Sequence, residues 1–214
     1  MGLTDSGAVA QKYISNLLSD IKGCRAYIDD IVVFAETVEE HDRILETVFE
    51  RLMKANLRLK MEKCKFGQTE IQFLGHVISH KTIRPSPKNV EPIKNYPRPT
   101  DLKSLQRFLG VMNYHASFIP NYAVIAEPLR ALTRKKNPFH WTEACENAFE
   151  SLKIVVCDDL KLAPFDPSAQ TYVTTDASNV GIGGMLSQIQ DDKEVPIAYG
   201  HHTLNERQRN YSAS

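Results

Sequence analysis

The sequence has no long apolar run. No stretch approaches the roughly 18 consecutive apolar residues that a membrane-spanning helix needs. The opening residues also lack the basic-then-apolar order of a secretory leader, so an intracellular protein is expected, with no choice between cytoplasm and nucleus. Cysteine is sparse. The four residues Cys24, Cys64, Cys145 and Cys157 contain no C-x-x-C pair, which signals neither a disulfide framework nor a zinc site and predicts buried free thiols. Neither sign of charge is in excess: 26 Lys and Arg balance 26 Asp and Glu, an average that speaks against a phosphate-neutralising protein. There is no internal repeat and no low-complexity tract. What is present, 214 residues with 42% hydrophobic and 24% charged side chains, is the composition of an ordinary globular chain with one large domain or two small ones.

The zero net charge hides local contrast. Glu36, Glu39, Glu40, Asp42, Glu46 and Glu50 precede a basic stretch of Lys54, Arg58, Lys60, Lys63 and Lys65, broken only by Glu62. Arg130, Arg134, Lys135 and Lys136 form a second basic cluster. Such clusters are more often solvated faces than nucleic-acid grooves.

Periodicity predicts an α+β chain. Val9, Ile14, Leu17, Leu18 and Ile21 recur at helical spacing up to Gly23. Two apolar runs then flank Asp29-Asp30, which reads as a tight hairpin with both aspartates at its tip. Thr37-Val-Glu-Glu40 is a capping box opening a helix with Ile44, Leu45, Val48, Phe49 and Leu52 on its apolar face. Alternation at Leu57-Arg-Leu-Lys-Met61 and again over residues 71–79 predicts strands. Ser86-Pro87 caps a short helix, Thr100 is the expected cap of the next, a further helix follows Pro120, and Thr142 caps another. Residues 171–199 read as a three-stranded meander, with Tyr172, Thr174 and Asp176 on one face of its first strand and Asp191-Asp192 in its second turn.

An Asp-Asp pair alone means little, because turns favour aspartate for local hydrogen bonds. Asp29-Asp30 differs in its flanks, which are apolar enough for buried strands; carboxylates buried between them would need a cation or a paired group. A bend lets neighbouring side chains share one site, and hard oxygens suit magnesium. A divalent-metal site and a plain polar turn both remain open on these grounds. His76 and His80 lie four apart but lack the H-E-x-x-H context of a zinc site.

The wider string is more informative. Tyr27-Ile-Asp-Asp30 with Ile-Val-Val-Phe34, the acidic helix, Leu59-Lys-Met-Glu-Lys-Cys-Lys-Phe66 and Phe73-Leu-Gly-His-Val-Ile-Ser79 together resemble the reverse transcriptases of LTR retrotransposons, the gypsy-like group in particular. Residues 84–93 and 105–114 are similar to that family's thumb, and residues 139–153 to the helix leading into its RNase H-like domain. Thr175-Asp176-Ala-Ser-Asn-Val-Gly-Ile-Gly-Gly184 resembles that domain's first hairpin. The resemblance implies a partial polymerase palm over residues 1–84, a small helical thumb over 85–136, and the lead-in helix and N-terminal β-meander of an incomplete RNase H-like domain over 137–214.

By resemblance, Asp29 and Asp30 are palm ligands of Mg2+ or Mn2+, Asp176 is an RNase H ligand, and Tyr27 and Gln11 line the nucleotide and template pocket. Lys63, with Lys65 as a rival, corresponds to a basic residue near the incoming triphosphate, although simple surface charge describes either equally well. Phe73, Leu74, Gly75 and His76 correspond to the primer grip, although sheet core plus a glycine turn describes Phe73 and Leu74 equally well. The implied partners are an RNA/DNA primer–template, deoxynucleotides and other Pol segments, with no membrane. The implied activity is two-metal addition of deoxynucleotides to a primer, followed by cleavage of RNA in the hybrid. An upstream palm carboxylate and the later RNase H carboxylates have no counterpart in this sequence, so the chain alone is expected to be inactive. The alternative is a non-catalytic nucleic-acid- or protein-binding module of retrotransposon origin. Two stretches depart from the family pattern: Ser6-Gly7 and Ala10 near Gln11, and Gly200-His201-His202, where a solvated histidine pair is expected.

Overall fold

The computed structural model describes residues 6–134, 138–158, 160–205 and 207–210. Gly2-Leu3-Thr4, Lys135 and Lys136 of the second basic cluster, Asn137, Asp159 and Tyr211 lie outside them. The chain divides into two compact units, Met1–Thr69 and Glu70–Ser214.

In the first unit, α1 (Ser6–Leu18) leads into a hairpin of β1 (Cys24–Tyr27) and β2 (Asp30–Val33), and α2 (Val38–Lys54) packs beside it. Leu18, Ile21, Cys24, Val48 and Leu52 form its core. Gly23 has no substitute: its φ is +77°, and a Cβ there would lie 2.5 Å from the Phe34 carbonyl oxygen and 2.7 Å from Ile44 Cδ1. The predicted cap at Thr37 is present, its side chain accepting the Glu40 N–H at 3.2 Å. The Arg51 guanidinium bridges α2 to the end of α1, bonding both carboxylate oxygens of Asp20 and the Leu17 carbonyl, and holds the Asp20 carboxyl below its ordinary pKa.

The strand expected over Leu57–Met61 is absent; residues 57–60 are irregular and Met61–Lys63 make one 3-10 turn. The reason is the end of α2. Asn56 takes a left-handed φ of 55°, its N–H bonds Met53 O, and the Leu57 N–H reaches back to Leu52 O at 2.9 Å. This Schellman closure draws Leu57 onto the helix's own core. Phe49, expected on the packed face, is exposed and meets Phe66 edge to face.

The second unit opens with β3 (Glu70–Phe73), β4 (His76–Ser79) and β5 (Ile83–Pro85), an antiparallel sheet in that order; β5 was too short to carry a sequence signal. Helices α3 (Pro87–Lys94), α4 (Leu102–Tyr114), α5 (Tyr122–Ile125), α6 (Glu127–Ala131) and α7 (Glu143–Cys157) follow. Ile93, Leu105, Phe108, Met112, Tyr122, Leu129, Phe149 and Leu152 fill one core shared by these helices. The cap of α4 is Asp101 rather than Thr100: its carboxylate accepts the Ser104 N–H at 2.6 Å, and Ser104 Oγ accepts the Asp101 N–H in return. Thr142 caps α7 as expected, accepting from the Cys145 N–H. The meander is β6 (Thr171–Ala177), β7 (Gly181–Gln190) and β8 (Lys193–Thr203), with Asp191 and Asp192 both at positive φ in its second turn. All four cysteines are free; Cys24 and Cys145 are buried, whereas Cys64 and Cys157 are only partly so. No described helix is long and apolar enough to cross a membrane.

Gly23→Ala tests the packing of the first hairpin. Strain at positive φ and the clash with Phe34 together should cost about 2 kcal/mol or more, read as a lowered urea midpoint. An unchanged midpoint would contradict this account of Gly23.

Candidate nucleotidyl-transfer and primer-binding sites

In the β1–β2 register Tyr27 pairs with Asp30, so the loop between the strands is Ile28-Asp29. Only Asp29 therefore sits at the tip; Asp30 opens β2. Ile28 has a φ of 52° while Asp29 does not have a positive φ, the sign pattern of a type II′ turn, which ordinarily takes glycine first. Isoleucine in that region is strained. The strain is held from α1, where Gln11 Oε1 accepts the Ile28 N–H and Gln11 Nε2 donates to Ser15 Oγ at 2.7 Å. A longer bond of 3.4 Å runs from Gln11 Nε2 to Ala26 O.

The bend turns four side chains outward: Tyr27, Ile28, Asp29 and Asp30 are all exposed. This corrects the premise of buried flanks, since Cys24 is the one fully buried residue of the two strands. The carboxylates therefore carry little desolvation cost, and no cation is needed to explain them. Neither has an ion-pair partner among the described residues, which leaves hard oxygen donors free on a rigid turn. Gln11, Tyr27, Asp29 and Asp30 thus come together around one turn. Lys63 does not join them through any side-chain bond among the described residues; it is exposed on the 3-10 turn.

Phe73, Leu74, Gly75 and His76 form the β3–β4 turn, with Phe73 paired to His76. Leu74 and Gly75 have φ of 48° and 76°, the pattern of a type I′ turn. The His76 ring stacks parallel to Tyr114 at 5.6 Å and lies 5.3 Å from Phe118. His76 Nδ1 and His115 Nδ1 are buried without a hydrogen-bond partner. Burial pushes the His76 imidazole below its ordinary pKa and, together with the charge of nearby His76, brings His115 down to about 4.

Asp176 lies on β6, exposed and paired with Gly183. Among the described residues no group of three His, Cys, Asp or Glu side chains could hold a metal ion. The expected histidine pair divides: His202 is exposed, but His201 is half-buried edge-on against Tyr122 at 4.7 Å. Burial, Arg130 and His202, in that order, hold the His201 imidazole below its ordinary pKa. The described members of the second basic cluster are engaged internally, Arg134 with Glu127 at 2.6 Å and Arg130 over the Tyr122 ring. Sequence reasoning missed Tyr114, Asn89 and Ser86, which touch the β3–β4 turn; no local pattern advertises them.

Two measurements check this geometry. Gln11→Leu removes the acceptor of the Ile28 N–H, and exchange of that amide with deuterium should quicken about tenfold, as loss of one such bond implies; unchanged exchange would show that Gln11 does not hold the turn. His115 stays neutral when buried and takes up a proton at its ordinary pKa when unfolded. The His115 contribution alone should therefore lower stability as pH drops from about 6.5 to about 4, by on the order of 3 kcal/mol. His115→Gln should flatten that slope in urea titrations, and an equal slope in both chains would refute the assignment.

Comparison with known proteins identifies the lineage. The family described as reverse transcriptase (RNA-dependent DNA polymerase) matches residues 1–78, and that described as the RNase H-like domain found in reverse transcriptase matches residues 141–214. The retrovirus-related Pol polyprotein from transposon 297 of Drosophila melanogaster is 38% identical over 216 residues, spanning 99% of this chain and 20% of that protein. The transposon Tf2-3 polyprotein of Schizosaccharomyces pombe is 33% identical over 216 residues, covering 100% of this chain and 16% of that protein. The chain thus spans a fifth or less of the length of these two relatives. The foamy viral protease-reverse transcriptase in complex with dsDNA superposes with a TM-score of 0.83 at 28% identity, covering 99% of this chain and 44% of that one. The same enzyme with an RNA/DNA hybrid gives 0.81 at 29% identity, covering 99% and 29%. With both families in order along it and relatives aligned end to end, the chain belongs to the reverse transcriptase and RNase H-like portion of retrotransposon Pol polyproteins.

Proposed function

We propose that the chain supplies the later palm (residues 1–84), the thumb (85–136) and the opening of the RNase H-like domain (137–214) of an RNA-directed DNA polymerase. The parent enzyme adds deoxynucleotides to a primer 3′ hydroxyl and cleaves RNA in the resulting hybrid. One observation carries the reading: a strained, side-chain-braced turn holds two unpaired carboxylates, Asp29 and Asp30, toward solvent.

Exposed, unpaired carboxylates suit Mg2+ or Mn2+, which keep several waters and bind through one or two such groups. Asp29 and Asp30 would hold the ion in the polymerase site, and Asp176 would be the first acidic ligand of the RNase H-like site. Such an ion, when bound, polarises the phosphoryl group and eases charge on the attacking and leaving oxygens. The protein's own part is placement. Gln11 fixes the turn, Tyr27 lies beside the nucleotide, and Lys63 offers charge to its triphosphate. The Phe73–His76 turn holds the primer end. The foamy viral relatives bound to dsDNA and to RNA/DNA hybrid support a primer–template partner. Other Pol segments would supply the remaining acids.

A second reading, a non-catalytic nucleic-acid-binding module, is favoured for the 214-residue polypeptide alone by the lack of any three-ligand group among the described residues. Both readings predict contact with phosphate through Arg58, Lys60, Lys63 and Lys65, none of which has an ion-pair partner among the described residues. The purified polypeptide with Mg2+, deoxynucleotides and a primed template should show no extension; measurable extension would overturn the dependence on further acids. Its binding to an RNA/DNA hybrid should weaken steeply with salt. Reversing Lys60, Lys63 and Lys65 to Glu should lower the log–log salt slope by about two to three. Binding unaffected by the reversal would sink the phosphate-contact proposal.

A further inference from the structure

The β3–β4 turn is gripped from the helical side of its own unit. Tyr114, the last residue of α4, donates its Oη–H to the Leu74 carbonyl at 2.7 Å. The Gly75 carbonyl receives the Ser86 N–H at 2.9 Å and the Asn89 amide at 3.3 Å. Both carbonyls of the two-residue loop are therefore bound by the residues that begin α3 and end α4. The fit is close: a Cβ on Gly75 would overlap Tyr114 Oη and come within 2.8 Å of Asn89 Nδ2.

The residue so held is an odd choice. Leucine at φ 48° is strained where Asn or Gly would be relaxed. Its side chain makes no part of either core and is 40% exposed. A sequence selected for folding alone would relax this turn. A sequence selected to present an aliphatic side chain at a fixed place would keep the leucine and brace its carbonyl.

We infer that Tyr114 is a positioning residue for primer binding: its bond to the Leu74 carbonyl ties the β3–β4 turn to the end of α4. The inference rests on the primer-grip role proposed above for residues 73–76. The turn then cannot shift along the primer without carrying α4 with it. Movement of α4 on nucleic acid is transmitted to the primer end through the Tyr114 hydroxyl, and the parallel stack of His76 on the same ring keeps that phenol aimed. Aliphatic contact at Leu74 suits the sugar face of a terminal nucleotide, which offers no charge.

The test compares two RNA/DNA hybrids of equal length and charge, one with a recessed primer 3′ end and one blunt. Equal phosphate number cancels the electrostatic part of binding, so the affinity ratio isolates recognition of the end. Wild-type chain should prefer the recessed hybrid. Tyr114→Phe, which keeps the ring and its stack but loses the donor, should cut that preference about five- to tenfold, as loss of one hydrogen bond implies. Blunt-hybrid affinity and the unfolding midpoint should hardly move, whereas a merely structural role would lower both hybrids' affinities alike. Asn89→Ala loosens the adjacent carbonyl without touching α4 and should also reduce the preference, so the result does not depend on one variant. A wild-type chain without preference would remove the primer-grip reading. A wild-type preference kept intact in Tyr114→Phe would overturn the role of Tyr114 while leaving that reading in place.

Discussion

An aliphatic residue forced into left-handed backbone, and bonded there by a side chain from another element, is the constraint that shapes both proposed sites of this chain. Ile28 at φ 52° and Leu74 at φ 48° each sit in a two-residue hairpin loop. Each conformation costs on the order of 1–3 kcal/mol, and persists only where the surroundings over-determine it. In the first unit the brace is Gln11; in the second it is Tyr114, helped by Asn89 and Ser86. The result is alike in both units: a short rigid bend with its side chains turned to solvent. At Asp191-Asp192 the backbone also takes positive φ twice, but aspartate tolerates that region, and the exposed Lys81 pairs with Asp191. Strain separates the two proposed site turns from this ordinary one.

Much of the fold was legible because it is locally encoded. Thr37 and Thr142 cap the helices their spacing implied, and of the apolar period read over residues 44–52, Val48 and Leu52 are buried while Phe49 is exposed. The meander could be read from alternation and its turn residues. What failed did so where two local signals competed. Leu57-Arg-Leu-Lys-Met61 alternates like a strand, yet Asn56 closes α2 and commits Leu57 to the helix core before any strand partner is available. Thr100 and Asp101 are both good caps; Ser104 decides between them, three residues after Asp101.

The candidate site was legible by likeness more than by physics. The carboxylate pair was singled out on an expectation of burial, whereas Asp29 and Asp30 are exposed. Ile28 gave no warning of positive φ, because nothing in its side chain favours it. The Gln11–Ile28 and Tyr114–Leu74 bonds join residues 17 and 40 positions apart, beyond the reach of periodicity. His201 shows the same limit: a doubled histidine reads as solvated until Tyr122, far along the chain, is found against it. The balanced net charge hides local contrast as well. Arg134 is absorbed by Glu127 and Arg130 lies on Tyr122, whereas Arg58, Lys60, Lys63 and Lys65 have no ion-pair partner among the described residues, a local excess that an average over the chain conceals.

The account stands on the Ile28-Asp29 bend presenting Asp29 and Asp30 together as oxygen ligands. Paramagnetic broadening of backbone amides during titration with Mn2+ reads this directly, because Asp191-Asp192 supplies a second aspartate pair in a turn within the same molecule. Broadening should begin at Ile28, Asp29 and Asp30 at Mn2+ concentrations that leave the Asp191–Asp192 turn and Asp176 sharp, and Asp29→Asn should abolish it. Equal broadening at both aspartate pairs, or none at the first, would contradict the claim that the braced bend is a built cation site.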